Sequence, residues 1–275
     1  MQSALERWRE LLTTRAQQMD AAYARLGRTS ADFWDRRARG FYRSTKDTVN
    51  SDPLFLKLRR VVDAQMSVLD VGAGTGRFAV GLAPLARHVV AVEPNASMLH
   101  YLQQDAAEQG LANITSIPTT WQNTPSDLQA DIVICSHVLY PIWDLDVFLE
   151  RLRAATLQRC YIYLRATHFD ARTAHFWKHF HGDERHLPPG YIHVLDVMYE
   201  MGMYADVEIV KQPALIRYPS LDVAVQEMME QLILSDDEQT RSELRALLAP
   251  WLVEQDGFLV QPEQEMVCAI IELKR

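Results

Sequence analysis

Three glycines alternate with other residues in the run Val68-Leu69-Asp70-Val71-Gly72-Ala73-Gly74-Thr75-Gly76. Glycine accepts positive φ and lets the backbone come close to a ligand. A helix that starts just behind such a loop presents free N–H groups to anionic ligand atoms. The next apolar run, His88–Val92, ends at Glu93, and a carboxylate at that place can accept both hydroxyls of a ribose. Asp70 stands immediately ahead of the loop, where it would repel a pyrophosphate but suits an ammonium group. The G-x-G-x-G spacing also departs from the G-x-G-x-x-G of dinucleotide sites, so both features argue against an NAD-dependent oxidoreductase. The bland alternative is a tight turn followed by a helix-capping glutamate. A second group of polar residues, Ser136-His137-Val138-Leu139-Tyr140, follows the apolar run Asp131–Cys135. A third lies between positions 168 and 193, which hold six of the nine histidines.

These residues need a frame of strands and helices. Residues 67–71, 88–92, 113–117, 131–135 and 160–164 read as short, near-continuously apolar strands. Helical patterns over 76–85, 95–109 and 144–157 alternate with them, which implies parallel strands joined by right-handed crossovers and covered on both faces. Residues 205–211 and 265–273 alternate more in polarity, as edge strands would. Ahead of the first strand, helices are predicted over 2–26, with Gly27 as a stop, after Ser30 as a cap, and over 54–63. A helical insertion over 221–254 is rich in Met, Leu and acidic residues.

The 275 residues suffice for one sizeable core, and 48% hydrophobic with 23% charged residues is an ordinary globular balance. A net charge of -8 opposes binding to a phosphate backbone. Cys135, Cys160 and Cys268 are too scattered for a zinc site or a disulfide framework. The first residues lack the apolar stretch of a signal peptide, and no apolar run approaches the ~20 residues of a membrane span. The expectation is a cytoplasmic chain, monomer or homodimer, without nucleic-acid or membrane partners.

In VLDVGAGTGRFA and VVAVEPNASML the chain resembles the class I S-adenosylmethionine-dependent methyltransferases. The resemblance implies a doubly wound α/β fold with a mostly parallel seven-stranded sheet, helices on both faces and S-adenosylmethionine as cofactor. Within a single domain it gives a helical cap over 1–64, a cofactor-binding core over 65–217, a helical insertion over 218–260 and a last strand over 261–275. Asp70, Gly72, Ala73, Gly74 and Gly76 would hold the methionine part, and Glu93 the ribose. Pro94, Asn95 and Met98 would border the adenine. Thr120, beside Trp121, stands where family members often carry an adenine-binding acid, and its hydroxyl is a weaker acceptor than a charged one.

The resemblance also places Ser136, His137 and Tyr140 beside the transferring methyl. Enzymes acting on nucleobase or glutamine nitrogens commonly carry Asn/Asp-Pro-Pro-aromatic there. Ser-His-Val-Leu-Tyr-Pro points instead to a small-molecule acceptor. His137 either takes a proton from the acceptor or caps the strand and lines the pocket. Alignment alone can suffice for methyl transfer, so a non-catalytic S-adenosylmethionine-binding module is the other reading. His175 and His179 share a helix face, but no H-E-x-x-H signature accompanies them, and no metal is expected. Arg165 suits an acidic group of the acceptor or a plain salt bridge. Phe33, Trp34, Phe41 and Tyr42, with Arg37, would close over the cofactor or simply pack. Met228, Met229, Leu232 and Leu234 would form core, a lid or a dimer contact.

Overall fold

The computed structural model describes residues 2–29, 33–46, 48–213, 216–262 and 265–275. Helices α1 (Ala4–Arg25), α2 (Phe33–Thr45) and α3 (Pro53–Leu58) precede the sheet. Helix α1 starts where Ser3 and Glu6 exchange capping hydrogen bonds. It buries Trp8 and Leu12, and the Trp8 indole N–H donates to the Ile142 carbonyl at 2.6 Å. Ser30 and the side chain of Phe33 lie outside the described residues. Helix α3 is shorter than the predicted 54–63: Asp52 caps its start, and a turn through Arg59 and Arg60 ends it.

The core alternates β1 (Ser67–Val71), α4 (Arg77–Leu82), β2 (His88–Val92), α5 (Ala96–Glu108), β3 (Ile114–Ile117), β4 (Ala130–Ser136), α6 (Leu145–Ala155) and β5 (Thr156–Arg165). Helices α7 (Ala174–His181) and α8 (Tyr191–Glu200) lead to β6 (Asp206–Pro213). After them come β7 (Arg217–Tyr218), α9 (Leu221–Leu232), α10 (Glu238–Trp251), β8 (Val253–Gln255), β9 (Phe258–Val260) and β10 (Glu265–Lys274). The large sheet has seven strands in the order β3-β2-β1-β4-β5-β10-β6. Its first five strands are parallel, and β10 runs antiparallel to both neighbours.

The order corrects one expectation. Strand β10 is not an edge strand: it lies between β5 and β6, with Cys268–Ile271 at most 1% exposed. Polar ends on the strand, not an exposed face, produced its mixed pattern. The insertion also holds a small sheet, β7-β9-β8, whose strands of two or three residues are too short to show a period.

Each face of the sheet has its own core. Leu69, Val71, Val133 and Cys135 pack with Trp8, Phe148 and Leu152 on the α1, α6 and α8 side. Val68, Ile132 and Ile134 pack with Leu54, Phe55, Phe78 and Leu102 on the α3, α4 and α5 side. A third cluster joins Met228, Met229, Leu232 and Leu234 to Tyr23, Phe176, Trp177 and Tyr218, so these insertion residues are core. The fold is therefore a doubly wound α/β sheet, and its parallel strands deliver their carboxyl ends to one edge.

Candidate active site

The loop between β1 and α4 turns through positive φ at Gly72, Gly74 and Gly76. Two of these positions also exclude any side chain. A Cβ on Gly76 would lie 2.6 Å from Leu102 Cγ, and one on Gly72 would overlap Val138 Cγ2. The Gly72 contact presses the turn after β4 directly against the glycine loop. Phe41 of α2 approaches the loop from outside, 3.8 Å from where a Gly74 Cβ would stand.

Glu93 ends β2, is 9% exposed, and spans the loop. One carboxylate oxygen accepts from the Gly74 N–H and the other from the Asn95 N–H, both at 2.9 Å. Burial raises its pKa, and these two N–H groups offset part of the rise. A carboxylate has about four acceptor positions, so each oxygen keeps one for a ribose hydroxyl. Asn95 caps α5, accepting from the Met98 N–H. Pro94 is exposed and Met98 buried.

Asp70 is 1% exposed, and its Oδ2 has no hydrogen-bond partner among the described residues. Burial pushes its pKa up to about 7, against the opposing pull of Arg77 and of the Ala79 N–H. An acceptor left open in such a place disfavours the folded state. The ammonium of a methionine moiety would satisfy it. The glycine cradle, the bridging Glu93 and the open Asp70 oxygen therefore fit S-adenosylmethionine. The neighbouring cation, Arg77, is held by buried Asp52 at 2.6 Å.

At the end of β4 the Ser136 hydroxyl is buried without a described partner. His137 takes φ 60, a left-handed conformation that costs a non-glycine residue roughly 1–2 kcal/mol. Its N–H donates to the Tyr163 carbonyl at 2.8 Å, which pins the turn. The imidazole Nδ1 lies 3.2 Å from Tyr140 Oη, and the two rings are near parallel. Burial, then the charges of Arg165, Arg77 and His168, hold the His137 pKa well below its usual value. The Tyr140 hydroxyl accepts from the Arg165 backbone N–H at 3.0 Å, and burial raises its pKa.

Thr120 is exposed ahead of a short helical turn. Trp121 belongs to the core: its ring packs on Phe148 at 6.4 Å under the Arg151 guanidinium. Tyr42 stacks on Tyr101 and donates to Asp105 at 2.5 Å. It lines a side cavity of about 350 Å³ with Lys46, Thr75 and Arg77. Trp34 is 46% exposed and meets Phe41 edge-on.

The histidine-rich segment disperses. His179 pairs with Glu243, His181 contacts the Leu232 carbonyl, and His175 packs on Phe176 and Trp251. No group of three or more metal-ligating side chains forms among the described residues. Only His168 approaches the active-site turn, its ring 5.1 Å from Tyr140.

Sequence reasoning missed a buried hub. Asp170 accepts from Arg15 at 2.7 Å and from Arg185 at 3.2 Å, and His168 lies 3.5 Å away. Helix α2 was not visible as a bridge either. Asp35 accepts from Asn95 and Ser97 on α5, while Arg36 and Arg43 pair with Glu230 and Glu227 on α9.

Comparisons with known proteins agree with this geometry. Residues 68–158 match a family model described as a methyltransferase domain. The chain superposes on the YcgJ protein of Bacillus subtilis with a TM-score of 0.51 and 19% identity, over 85% of this chain and 99% of that one. A candidate methyltransferase of Bacillus halodurans gives a TM-score of 0.53 with 15% identity, over 80% of this chain and 97% of that one. An uncharacterized Haemophilus influenzae protein is 30% identical over 159 residues, 54% of this chain and 55% of that relative. The chain thus spans about half the length of the curated relative it matches. Among the described residues no helix is long and apolar enough to cross a membrane. The glycine loop, the strand order and the match over residues 68–158 agree: the chain carries a methyltransferase domain on a doubly wound α/β fold.

Proposed function

We propose that the protein transfers a methyl group from S-adenosylmethionine to a small molecule held at the carboxyl ends of β4 and β5. The observation that carries this reading is the contact of Val138 with Gly72. It sets the His137–Tyr140 turn against the cofactor loop, so an acceptor on that turn lies next to the cofactor. Helix α2 reaches the glycine loop through Phe41, and the segment after β5 reaches Tyr140 through His168. A site bordered by parts of the same chain suits a small acceptor.

S-adenosylmethionine supplies a methyl group activated on a sulfonium. The protein's part is to bind, orient and exclude water. Glu93 would hold the ribose, and Asp70 would pair with the ammonium. The left-handed backbone of His137 fixes its ring, and Tyr140 fixes the orientation of that ring through Nδ1. Burial and positive neighbours keep the imidazole neutral at physiological pH, so a ring nitrogen is free to accept the acceptor's proton as the bond forms. The same shift makes it a weak base, which leaves alignment as the main contribution.

S-adenosylhomocysteine should raise the melting temperature and NAD should not, because only a ligand of the native state stabilises it. The reverse preference overturns the reading. With an acceptor that is turned over, His137→Gln separates a methyltransferase using a base from one relying on position. Loss of roughly 10²–10⁴-fold in turnover, with the acidic pH limb abolished, marks a base. A modest loss with the limb retained marks a pocket wall. A protein that binds S-adenosylhomocysteine yet turns over none of a broad acceptor panel is a binding module.

A further inference from the structure

Arg165 ends β5 one step beyond the His137–Tyr140 turn and is half-buried. Its guanidinium meets the Met266 sulfur at 3.4 Å, the Phe169 ring, whose centroid is 5.7 Å away, and the Tyr140 hydroxyl. The other cations that act on His137 each have a carboxylate. Arg77 has Asp52, and His168 has Asp170. Among the described residues, no carboxylate comes within ion-pair distance of Arg165. Arg37, delivered by α2, brings a second guanidinium to 5.7 Å from the same Phe169 ring. The acceptor end of the site is thus a half-buried positive region with one aromatic face.

A half-buried guanidinium with five N–H donors, answered by one hydroxyl and one sulfur and by no carboxylate among the described residues, keeps donors open for an anion. Its planar fork matches a carboxylate in two parallel hydrogen bonds. The Phe169 ring offers a flat apolar surface beside that fork, suited to the body of the same molecule. We propose that the acceptor is a small organic acid whose carboxylate docks on Arg165 and whose apolar body lies along Phe169. This proposal rests on the methyltransferase reading and assigns its substrate class. Arg165 acts by holding the acceptor, so the methyl-accepting atom lies within reach of His137 and Tyr140.

The test uses the full chain saturated with S-adenosylhomocysteine, after calorimetry has established that this cofactor product binds. Failure of that first step overturns the methyltransferase reading itself. Ligand-observed NMR then compares acetate, benzoate, phenylacetate and succinate with their amides, and benzoate with phenyl phosphate. At least one acid should bind more tightly than its amide. In Arg165→Gln that acid should weaken about ten- to a hundredfold, while S-adenosylhomocysteine affinity is kept. Arg165→Lys, which keeps charge but loses the fork, should fall between the two. Acids that bind no better than their amides overturn the proposal, even if the variants do not fold. Equal binding by Arg165→Gln also overturns it, and so does phenyl phosphate binding more tightly than benzoate.

Discussion

Two aspartates are buried in this chain to nearly the same degree, and they are treated in opposite ways. Asp170, 3% exposed, is surrounded by Arg15, Arg185 and His168. Burial alone would raise its pKa, but His168 and the two arginines hold it well below the usual carboxylate range. Asp70, 1% exposed, keeps an oxygen without a partner and rises to about 7. The first carboxylate is fully answered by the chain. It ties α1 to the loops around α7 and does nothing that needs a vacancy. The second is left incomplete beside the glycine loop, and that incompleteness is the mark of a group kept for a ligand.

The largest effect that would sharpen this contrast is on stability. Asp170→Asn leaves Arg15 and Arg185 facing a neutral amide. Breaking a buried ion pair costs about 3–5 kcal/mol, which lowers the melting temperature by about 6–20 °C in a chain of this size. An Asp170→Asn variant that melts with the wild type would show that the hub carries no stability. The cofactor end should respond differently. Glu93→Ala removes a charged acceptor from the ribose, so S-adenosylhomocysteine affinity in calorimetry should fall about ten- to a hundredfold. Unchanged affinity in the folded variant removes Glu93 from the site.

The smallest effect is the most diagnostic. Because the folded pKa of Asp70 lies above its unfolded value of 3.8, its ionised form disfavours folding above about pH 7, and that penalty is relieved as pH falls toward 3.8. Asp170 has the opposite sign: its contribution is complete above the unfolded value and is lost below it, as pH falls through its depressed folded value. The ligand-free Asp70→Asn variant should therefore melt slightly above the wild type at pH 8, by about 2–4 °C for each kcal/mol relieved. The difference should shrink by pH 5. Binding of S-adenosylhomocysteine near pH 6 should release about one proton in the wild type, as Asp70 ionises against the ammonium. Calorimetry in two buffers reads this directly, and the same proton release in Asp70→Asn would break the comparison.

The two aspartates also differ in how far the sequence reveals them. Asp70 is legible because its surroundings are local: a strand end, three positive-φ glycines and an acid after the next strand fall within Asp70–Glu93. The parallel core was readable for a similar reason, since each βαβ unit is a short-range pattern. Asp170 was not legible, because Arg15 lies 155 residues away and no local motif marks Arg185 as its second partner. The position of β10 was hidden in the same way, because strand order is a pairing choice that residue alternation does not encode. The packing of the Trp121 ring on Phe148 of α6 was likewise not legible, because it joins two separate elements.

The placement of β10 also governs how the protein is made. Strand β6 joins the large sheet only through β10, and the far edge of β5 is covered by the same strand. On the ribosome, Thr156–Arg165 emerges about a hundred residues before Glu265–Lys274. At about 5–20 residues per second that edge stays unpaired for about 5–20 s. An uncovered β edge is a template for strands of other chains. Helices α7 to α10 are synthesised during this wait, so every residue added to the insertion lengthens the nascent sheet's exposure.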